Sequence, residues 1–322
     1  MPQEVAIAAE TTTTWPRRRR ASAWRRSLGA SVPYWLILPV VLTVGVVLGY
    51  PMYWLVRLSF QHYGLFELIQ HKGKPAGLAN YSSILHDPVF WHTLLRTAIF
   101  TVVNVGLTIA LGTLFALLAV RVSSVVRIVL TSSLVLVWSM PVVVAVQVWY
   151  WMTNFENGIL NYVLTQFHLG DFSRHDWYAT SFSELSIVTA MIVWGGIPFV
   201  AISVYAALAQ VPNDLIEAAE IDGARPWRVF RDVTFPILKP ILLILTSLSI
   251  IWNFGVFTQP FLLIGQSKLH PGNFLMGVYL FEEGYLKTDF GRGAAISIVM
   301  LVLVAAMSIV YVRRMVKIGD AA

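Results

Sequence analysis

The chain has 322 residues, of which 57% are hydrophobic and only 12% are charged, and its mean hydropathy is +0.68. Soluble domains carry roughly a quarter of charged residues, so this composition excludes an ordinary soluble protein. The chain has no cysteine, which excludes disulfides and thiolate metal sites.

The first 33 residues contain the basic run Arg17–Arg20 and no hydrophobic periodicity. This pattern is typical of a disordered segment, and we predict a basic cytoplasmic tail over residues 1–33.

From residue 34 onward, six stretches lack Asp, Glu, Lys and Arg and have about the 20 residues that a helix needs to cross a bilayer. They are Tyr34–Val56, Thr97–Val120, Ile128–Thr153, Leu185–Pro212, Pro240–Ser267 and Gly293–Val312. A charge at the centre of a membrane helix costs about 2.5 to 3.5 kcal/mol, which explains why these runs have none. The sequence therefore predicts an all-α integral membrane protein, with six transmembrane helices in one domain over residues 34–322.

The first run is longer than the core of a signal peptide, which has about 7 to 15 residues, so we expect it to be retained as a helix. The distribution of Lys and Arg then predicts the orientation. With the N-terminus in the cytoplasm, fifteen of the 23 Lys and Arg residues lie on the cytoplasmic side, and both termini are inside. This asymmetry accounts for the net charge of +6 without a nucleic-acid partner. The outer loops 61–96, 154–184 and 268–292 are expected to be polar.

The inner loop between the fourth and fifth runs, residues 213–236, is longer than the about 2 to 8 residues that usually join two helices. It begins with an acidic segment that Asn213 or Asp214 can cap as a short helix. Gly223 is placed to end this helix in a left-handed conformation, and Pro226 is placed to open a second helix. We predict a helix, an elbow and a second helix that protrude into the cytoplasm.

The same loop carries a specific motif, Glu217–Ala219 followed by Gly223 and then by Val233–Pro236. Its spacing resembles the EAA signature of ABC-importer permeases, which usually have Ile and Leu where this chain has Val and Phe. The flanking segments Gln210–Pro212 and Asp222–Ala224 are similar to the carbohydrate-uptake branch, the permeases of maltose and glycerol-phosphate importers.

This resemblance implies a type I ABC-importer fold and a permease subunit of an ATP-driven, binding-protein-dependent importer in the bacterial cytoplasmic (inner) membrane. The implied solute is a mono- or oligosaccharide or a glycerol-phosphate-like compound. The implied partners are a second permease subunit in a heterodimer, two ATPase subunits, an extracytoplasmic solute-binding protein and membrane lipid. ATP and Mg²⁺ would bind the ATPase, because this chain has no Gly-x4-Gly-Lys-Ser/Thr phosphate cradle. The chain itself is expected to bind no cofactor or metal and to catalyse no reaction.

The resemblance also implies which residues couple the permease to the ATPase. These residues lie in the inner loop and are Glu217, Ala218, Ala219, Asp222, Gly223 and Pro226.

A second candidate site lies in the fifth run, where four residues share one helical face at i, i+3, i+4 and i+7. They are Ser249, Trp252, Asn253 and Val256. Tryptophan offers a flat surface to a sugar ring, and the amide and hydroxyl groups can bond its hydroxyls. The resemblance implies that this span and the preceding one line the substrate path, which adds Gly196 and Phe199. Ordinary helix packing is the alternative at each position.

Two other function classes compete with the importer. An ion-coupled secondary transporter usually carries ionisable groups inside the membrane, and the six runs contain no acidic or basic residue, although a sodium site can use carbonyls and hydroxyls. A membrane enzyme is disfavoured because no catalytic motif is present.

Overall fold

The computed structural model describes residues 23–265 and 268–319, which are mostly helical. The long helices are α1 (Ala23–Ser59), α4 (Pro88–Arg121), α5 (Ser124–Ser139), α6 (Val142–Met152), α8 (Ser181–Leu208), α11 (Phe235–Phe254) and α14 (Phe290–Gly319). The shorter ones are α2 (Leu65–Gln70), α3 (Ala79–Leu85), α7 (Ile159–Gln166), α9 (Asn213–Ile221), α10 (Pro226–Val229), α12 (Thr258–Ile264) and α13 (Met276–Phe281). Two π-helical turns cover Phe230–Thr234 and Glu282–Leu286, and strands β1 (Gln61–His62) and β2 (Lys74–Pro75) pair antiparallel.

The chain divides into two compact units, residues 1–54 and residues 55–322. In the first unit, α1 already begins at Ala23. The prediction of disorder up to residue 33 is therefore wrong for residues 23–33, and residues 1–22 lie outside the described part. The segment Ala23–Ala30 consists largely of Ala, Arg and Leu, which favour helix and allow the apolar helix to extend in the N-terminal direction.

Five helical segments within the described residues are long and apolar enough to cross a membrane. They are Leu36–Ser59, Pro88–Arg121, Ser181–Leu208, Pro226–Phe254 and Phe290–Arg313. The count rises to six when α5 and α6 are taken together as one broken span. This confirms the all-α membrane fold, with two differences in how the spans are built.

The first difference is a break in the third predicted span, Ile128–Thr153. It consists of α5 and α6, which meet at an angle of 103°. Pro141 causes the break, because the residue before a proline is pushed out of the helical region. Met140 is accordingly extended, with φ −71° and ψ 125°.

The second difference concerns the fifth predicted span, Pro240–Ser267. The helix that could cross starts earlier, at Pro226, and ends at Phe254. Gly255 closes it, and α12 follows as a separate short helix that packs against α6 and α8. Glycine is a poor helix former, so the chain can turn here at low cost.

The centre of the second unit is the pair α4 and α8, which pack along each other. Their backbones approach closely where a Cβ on Gly112 would lie 2.6 Å from the Val200 side chain, and one on Gly196 would lie 2.9 Å from Thr108 Cγ2. Only glycine permits this distance at both points. The rest of the bundle is thereby arranged around one closely packed helix pair.

At the end of the bundle where α4 and α14 begin, a partly buried ionic cluster ties the two helices together. Arg292 forms ion pairs with Asp87 and, at 3.0 Å, with the buried Glu283. The Tyr279 hydroxyl donates a hydrogen bond to Asp87 Oδ2 at 3.0 Å. Burial raises the pKa of Tyr279 to about 12, which favours the protonated hydroxyl that donates this bond.

The third predicted outer loop differs from expectation. Residues 268–292 are predicted to form a polar loop, but the stretch from Asn273 to Tyr279 is buried. Contacts with α4, which is distant in sequence, and with α14, which follows soon after, hold it inside.

Candidate functional site

A cavity of about 310 Å³ lies between α4, α5, α6, α8, α11 and α12. All six residues of the predicted substrate path line it: Gly196, Phe199, Ser249, Trp252, Asn253 and Val256. Val256 reaches the cavity in a different way from the one expected, because α11 ends at Phe254 and Val256 follows in the irregular link to α12. The structure thus brings the predicted residues of two spans together around one space.

Three aromatic rings form one wall of this cavity. Trp138 stacks on Phe199 with ring centroids 5.2 Å apart and an interplanar angle of 19°. Trp252 packs edge-on against Phe199 at 5.3 Å and lies 6.3 Å from Trp138. Flat apolar faces of this kind are well suited to the C–H face of a sugar ring.

Sequence reasoning missed Trp138, although a signal was present. Membrane-interface tryptophans lie near the ends of apolar runs, whereas Trp138 is near the middle of Ile128–Thr153. It also missed Thr108 on α4 and Gln259 on α12, which line the same cavity. These two residues come from elements far apart in the sequence, so no local pattern links them.

Asn253 lines the cavity and carries an unpaired polar atom. Its Nδ2 donates to the Ser249 carbonyl oxygen at 2.8 Å. Its Oδ1 is buried and has no hydrogen-bond partner among the described residues. Leaving a buried acceptor unpaired costs about 1 to 3 kcal/mol, so a ligand hydroxyl that reached this oxygen would stabilise it.

The predicted coupling residues lie together on the connection from α8 to α11. Gly223 has φ +77° and ends α9 in a left-handed conformation, and Pro226 occupies the first turn of α10, both as predicted. The predicted cap is wrong, because Pro212 is the N-cap residue and neither Asn213 nor Asp214 caps α9. Proline is restricted to φ near −65° and cannot donate, so it ends the preceding turn and starts the new helix.

Most of the predicted coupling residues are exposed. Glu217, Ala218 and Asp222 are exposed, as is Pro226, while Ala219 is partly buried. Large apolar side chains are exposed beside them, with Ile221 at 85% and Trp227 at 71% of their full accessible area. An exposed apolar patch flanked by acidic residues is typical of a protein-binding surface.

The comparisons with known proteins agree on one kind of protein. The family model described as "Binding-protein-dependent transport system inner membrane component" matches residues 108–316. The diacetylchitobiose uptake system permease protein DasB of Streptomyces coelicolor is 37% identical over 316 residues, which cover 98% of this chain and 95% of that protein. The trehalose/maltose transport system permease protein MalF of Thermococcus litoralis is 32% identical over 88% of this chain and 93% of its own length.

Among solved structures, a chain of a bacterial ABC transporter involved in the import of the acidic polysaccharide alginate has a similar fold. The TM-score is 0.77 with 17% identity, and the match covers 91% of this chain and 98% of that one.

Proposed function

The chain belongs to the family of binding-protein-dependent transport system inner membrane components, the permease subunits of ATP-driven importers, and we propose that its cargo is a sugar. It is a multi-pass protein of the inner membrane. None of the comparisons supports the alternative of an ion-coupled secondary transporter.

The observation that carries the sugar proposal is the composition of the cavity. It combines the stacked rings of Trp138 and Phe199 with the unpaired oxygen of Asn253. Aromatic faces and fixed hydrogen-bond acceptors together suit a ring that carries hydroxyl groups, whereas an ionic cargo would require a charged partner. Among the described residues, none that lines the cavity is charged. The names of the relatives, which refer to diacetylchitobiose and to trehalose and maltose, agree with this cargo class.

The partners form the second part of the proposal. We infer that the chain pairs with a second, different permease subunit, and that the pair binds two ATPase subunits in the cytoplasm. One of these ATPase subunits binds the exposed loop of residues 213–236 that contains α9, called the α9 loop below. A solute-binding protein delivers the sugar on the other side. ATP and Mg²⁺ bind the ATPase chains. Glu217, Ala218 and Ala219, with Asp222, Gly223 and Pro226, transmit closure of the ATPase pair to the membrane helices.

Exchange of Trp138 for leucine tests the aromatic wall. We expect the initial rate of sugar uptake by the reconstituted importer to fall about 2- to 12-fold. This range corresponds to the free energy that one aromatic packing contact contributes. Trp151 is the matched control, since it is also about half exposed but lies outside the cavity. Equal losses for Trp138→Leu and Trp151→Leu would mean that the wall does not contact the cargo.

The orientation is tested with single cysteines, because the chain has none of its own. We expect a membrane-impermeant maleimide to label cysteines at His86 and Asp171 in intact cells. Cysteines at Ser124 and Asp214 should be labelled only after permeabilisation. His86, Asp171 and Asp214 lie outside the helices that could cross the membrane. Ser124 is the first residue of α5. Labelling of Asp214→Cys in intact cells would mean that the predicted orientation is wrong. The loop would then face away from the cytoplasm and could not bind the ATPase.

A further inference from the structure

A groove of about 630 Å³ runs along the outside of the bundle between α4 and α8, and it shares no lining residue with the cavity described above. The lining positions on α4 recur at intervals of three and four residues, so they form one continuous face of the helix. They are His92, Leu95, Arg96, Ile99, Phe100 and Val103. The opposite wall is formed mainly by Leu185, Ser186 and Thr189 of α8.

Most of the α4 wall is apolar and uncovered. Leu95, Ile99 and Val103 keep 61%, 57% and 43% of their full accessible area, although α4 is one of the helices that could cross a membrane. In the bilayer, the acyl chains of lipids or the surface of another protein must cover such a face.

Arg96 gives this groove a charged end. The side chain is partly buried, and its Nη1 donates to the carbonyl oxygens of Pro271 at 3.0 Å and Phe274 at 2.8 Å. Within residues 23–265 and 268–319, no carboxylate pairs with Arg96, and its Nη2 and Nε donate no hydrogen bond. Glu184, which contacts the same segment, accepts instead from Asn273 Nδ2 at 2.9 Å. A partly desolvated guanidinium in a membrane helix is costly without an anion, so an anion from outside this chain is expected at Arg96.

The length of the groove matches one leaflet of a bilayer. From His92 to Val103 it follows α4 for about 16 Å, at 1.5 Å per residue. Half of a hydrocarbon core of about 30 Å is about 15 Å. The last lining residues, Val103 and Thr189, lie beside the point where Asn104 Nδ2 donates to Thr189 Oγ1 at 3.4 Å and ties the two helices together. One charged end is thus followed by an apolar wall as long as one acyl chain.

We propose that this groove binds a phospholipid, with its phosphate at Arg96 and one acyl chain along Leu95, Ile99 and Val103. The lipid belongs to the leaflet opposite the α9 loop, because α8 begins at the charged end of the groove and leads into that loop at its other end. A guanidinium binds phosphate through parallel N–H donors, and Nη2 and Nε of Arg96 remain for it. A protein helix in the same place would have to bring its own carboxylate into the membrane, which is costly. Every phospholipid carries its phosphate next to the acyl chains.

Two photoreactive lipids test the site in the complete importer, reconstituted in phosphatidylcholine nanodiscs. Both carry a diazirine on the same acyl chain, but one is a phosphatidylglycerol and the other is a diacylglycerol, which has no phosphate. Lipid adducts on residues 95–103 are quantified by mass spectrometry after irradiation. A charge-assisted hydrogen bond to the phosphate predicts about 10- to 150-fold more adduct with phosphatidylglycerol.

Two variants locate the preference. Arg96→Gln should abolish it and Arg96→Lys should keep most of it, while Arg174→Gln is the matched control at an exposed arginine outside the groove. Because Arg96 also holds the segment Pro271–Met276, Ser186→Phe provides a test that leaves those bonds intact and fills the groove from α8. It should abolish the preference as well. Its control is Ala98→Phe, at an exposed position of α4 that does not line the groove.

Equal adducts from the two lipids, or a preference that survives Arg96→Gln or Ser186→Phe, would show that only bulk lipid touches α4 and would overturn the site. The absence of any adduct on residues 95–103 would overturn it too. Benzoylphenylalanine in place of Ile99 identifies the occupant independently: an adduct with phospholipid supports the proposal, and a crosslink to the second permease subunit shows that a protein fills the groove instead. None of these measurements requires sugar, so they stand or fall apart from the proposed cargo.

Discussion

Replacement of Asn253 by leucine is expected to lower sugar uptake about 5- to 150-fold while folding and ATPase binding stay intact. Leucine has a similar volume and suits the membrane interior, so packing alone predicts little harm. The variant removes the buried Oδ1, which has no partner among the described residues. A cargo hydroxyl that loses its acceptor in the cavity costs about 1 to 3 kcal/mol, which corresponds to the expected range. The initial rate of uptake into proteoliposomes, with binding protein and ATP supplied, is the measurement.

Ser247→Ala is the control for this variant. Ser247 lies on the same helix two residues before Ser249, and it does not line the cavity. We expect its uptake rate to stay close to that of the unmodified chain. Equal and small effects at Asn253 and Ser247 would mean that the α11 face serves only for packing.

The features that the sequence predicted correctly depend on local chemistry. A charged side chain within a membrane helix is costly, so the absence of charge predicted the apolar spans well. The elbow of the inner loop was equally predictable, because glycine tolerates a positive φ and proline is favoured in the first turn of a helix. Gly223 at φ +77° and Pro226 at the start of α10 show both effects.

The features that the sequence did not predict depend on contacts between distant segments. Pro141 lies in a continuous apolar run, and a proline there is compatible with a mild kink as well as with the observed bend of 103°. Packing of α6 and α12 together accompanies the larger angle. The same fold brings Trp138 into contact with Phe199, 61 positions away in the chain. The periodicity within one helix does not predict such a contact.

The buried segment Pro271–Met276 shows the same limit. Its sequence, Pro-Gly-Asn followed by Phe-Leu-Met, has the turn residues of a surface loop and an apolar run too short to predict a buried element. Its burial depends on Arg96 and Thr97, which lie more than 170 positions earlier. Arg96 alone would suggest only a basic residue at the start of a span.

Substitution of Glu217 by arginine is expected to weaken binding of the ATPase subunit at least about 30-fold and to abolish ATP-driven uptake. Glu217 is exposed on α9, beside the exposed apolar side chains of Leu215 and Ile221. A partner that covers these apolar groups also removes water from the carboxylate, which then needs a basic partner. Breaking such a desolvated pair costs about 2 to 5 kcal/mol, and reversing the charge adds repulsion. Co-purification of the ATPase with the permease and the ATPase rate stimulated by the binding protein measure the effect.

Glu220→Arg is the matched control, because it makes the same change of charge about one turn further along α9, at another exposed glutamate. A carboxylate at the rim of the interface contributes about 0 to 1 kcal/mol, so we expect a loss of less than about fivefold. If both variants weaken the ATPase complex equally, the ATPase responds to the overall charge of the loop and not to Glu217. If Glu217→Arg leaves association and stimulated hydrolysis unchanged, the contact with the ATPase is made by another part of the α9 loop. The exposed Trp227 on α10 would then be the next residue to substitute, since it offers the largest apolar surface beyond the Gly223 elbow.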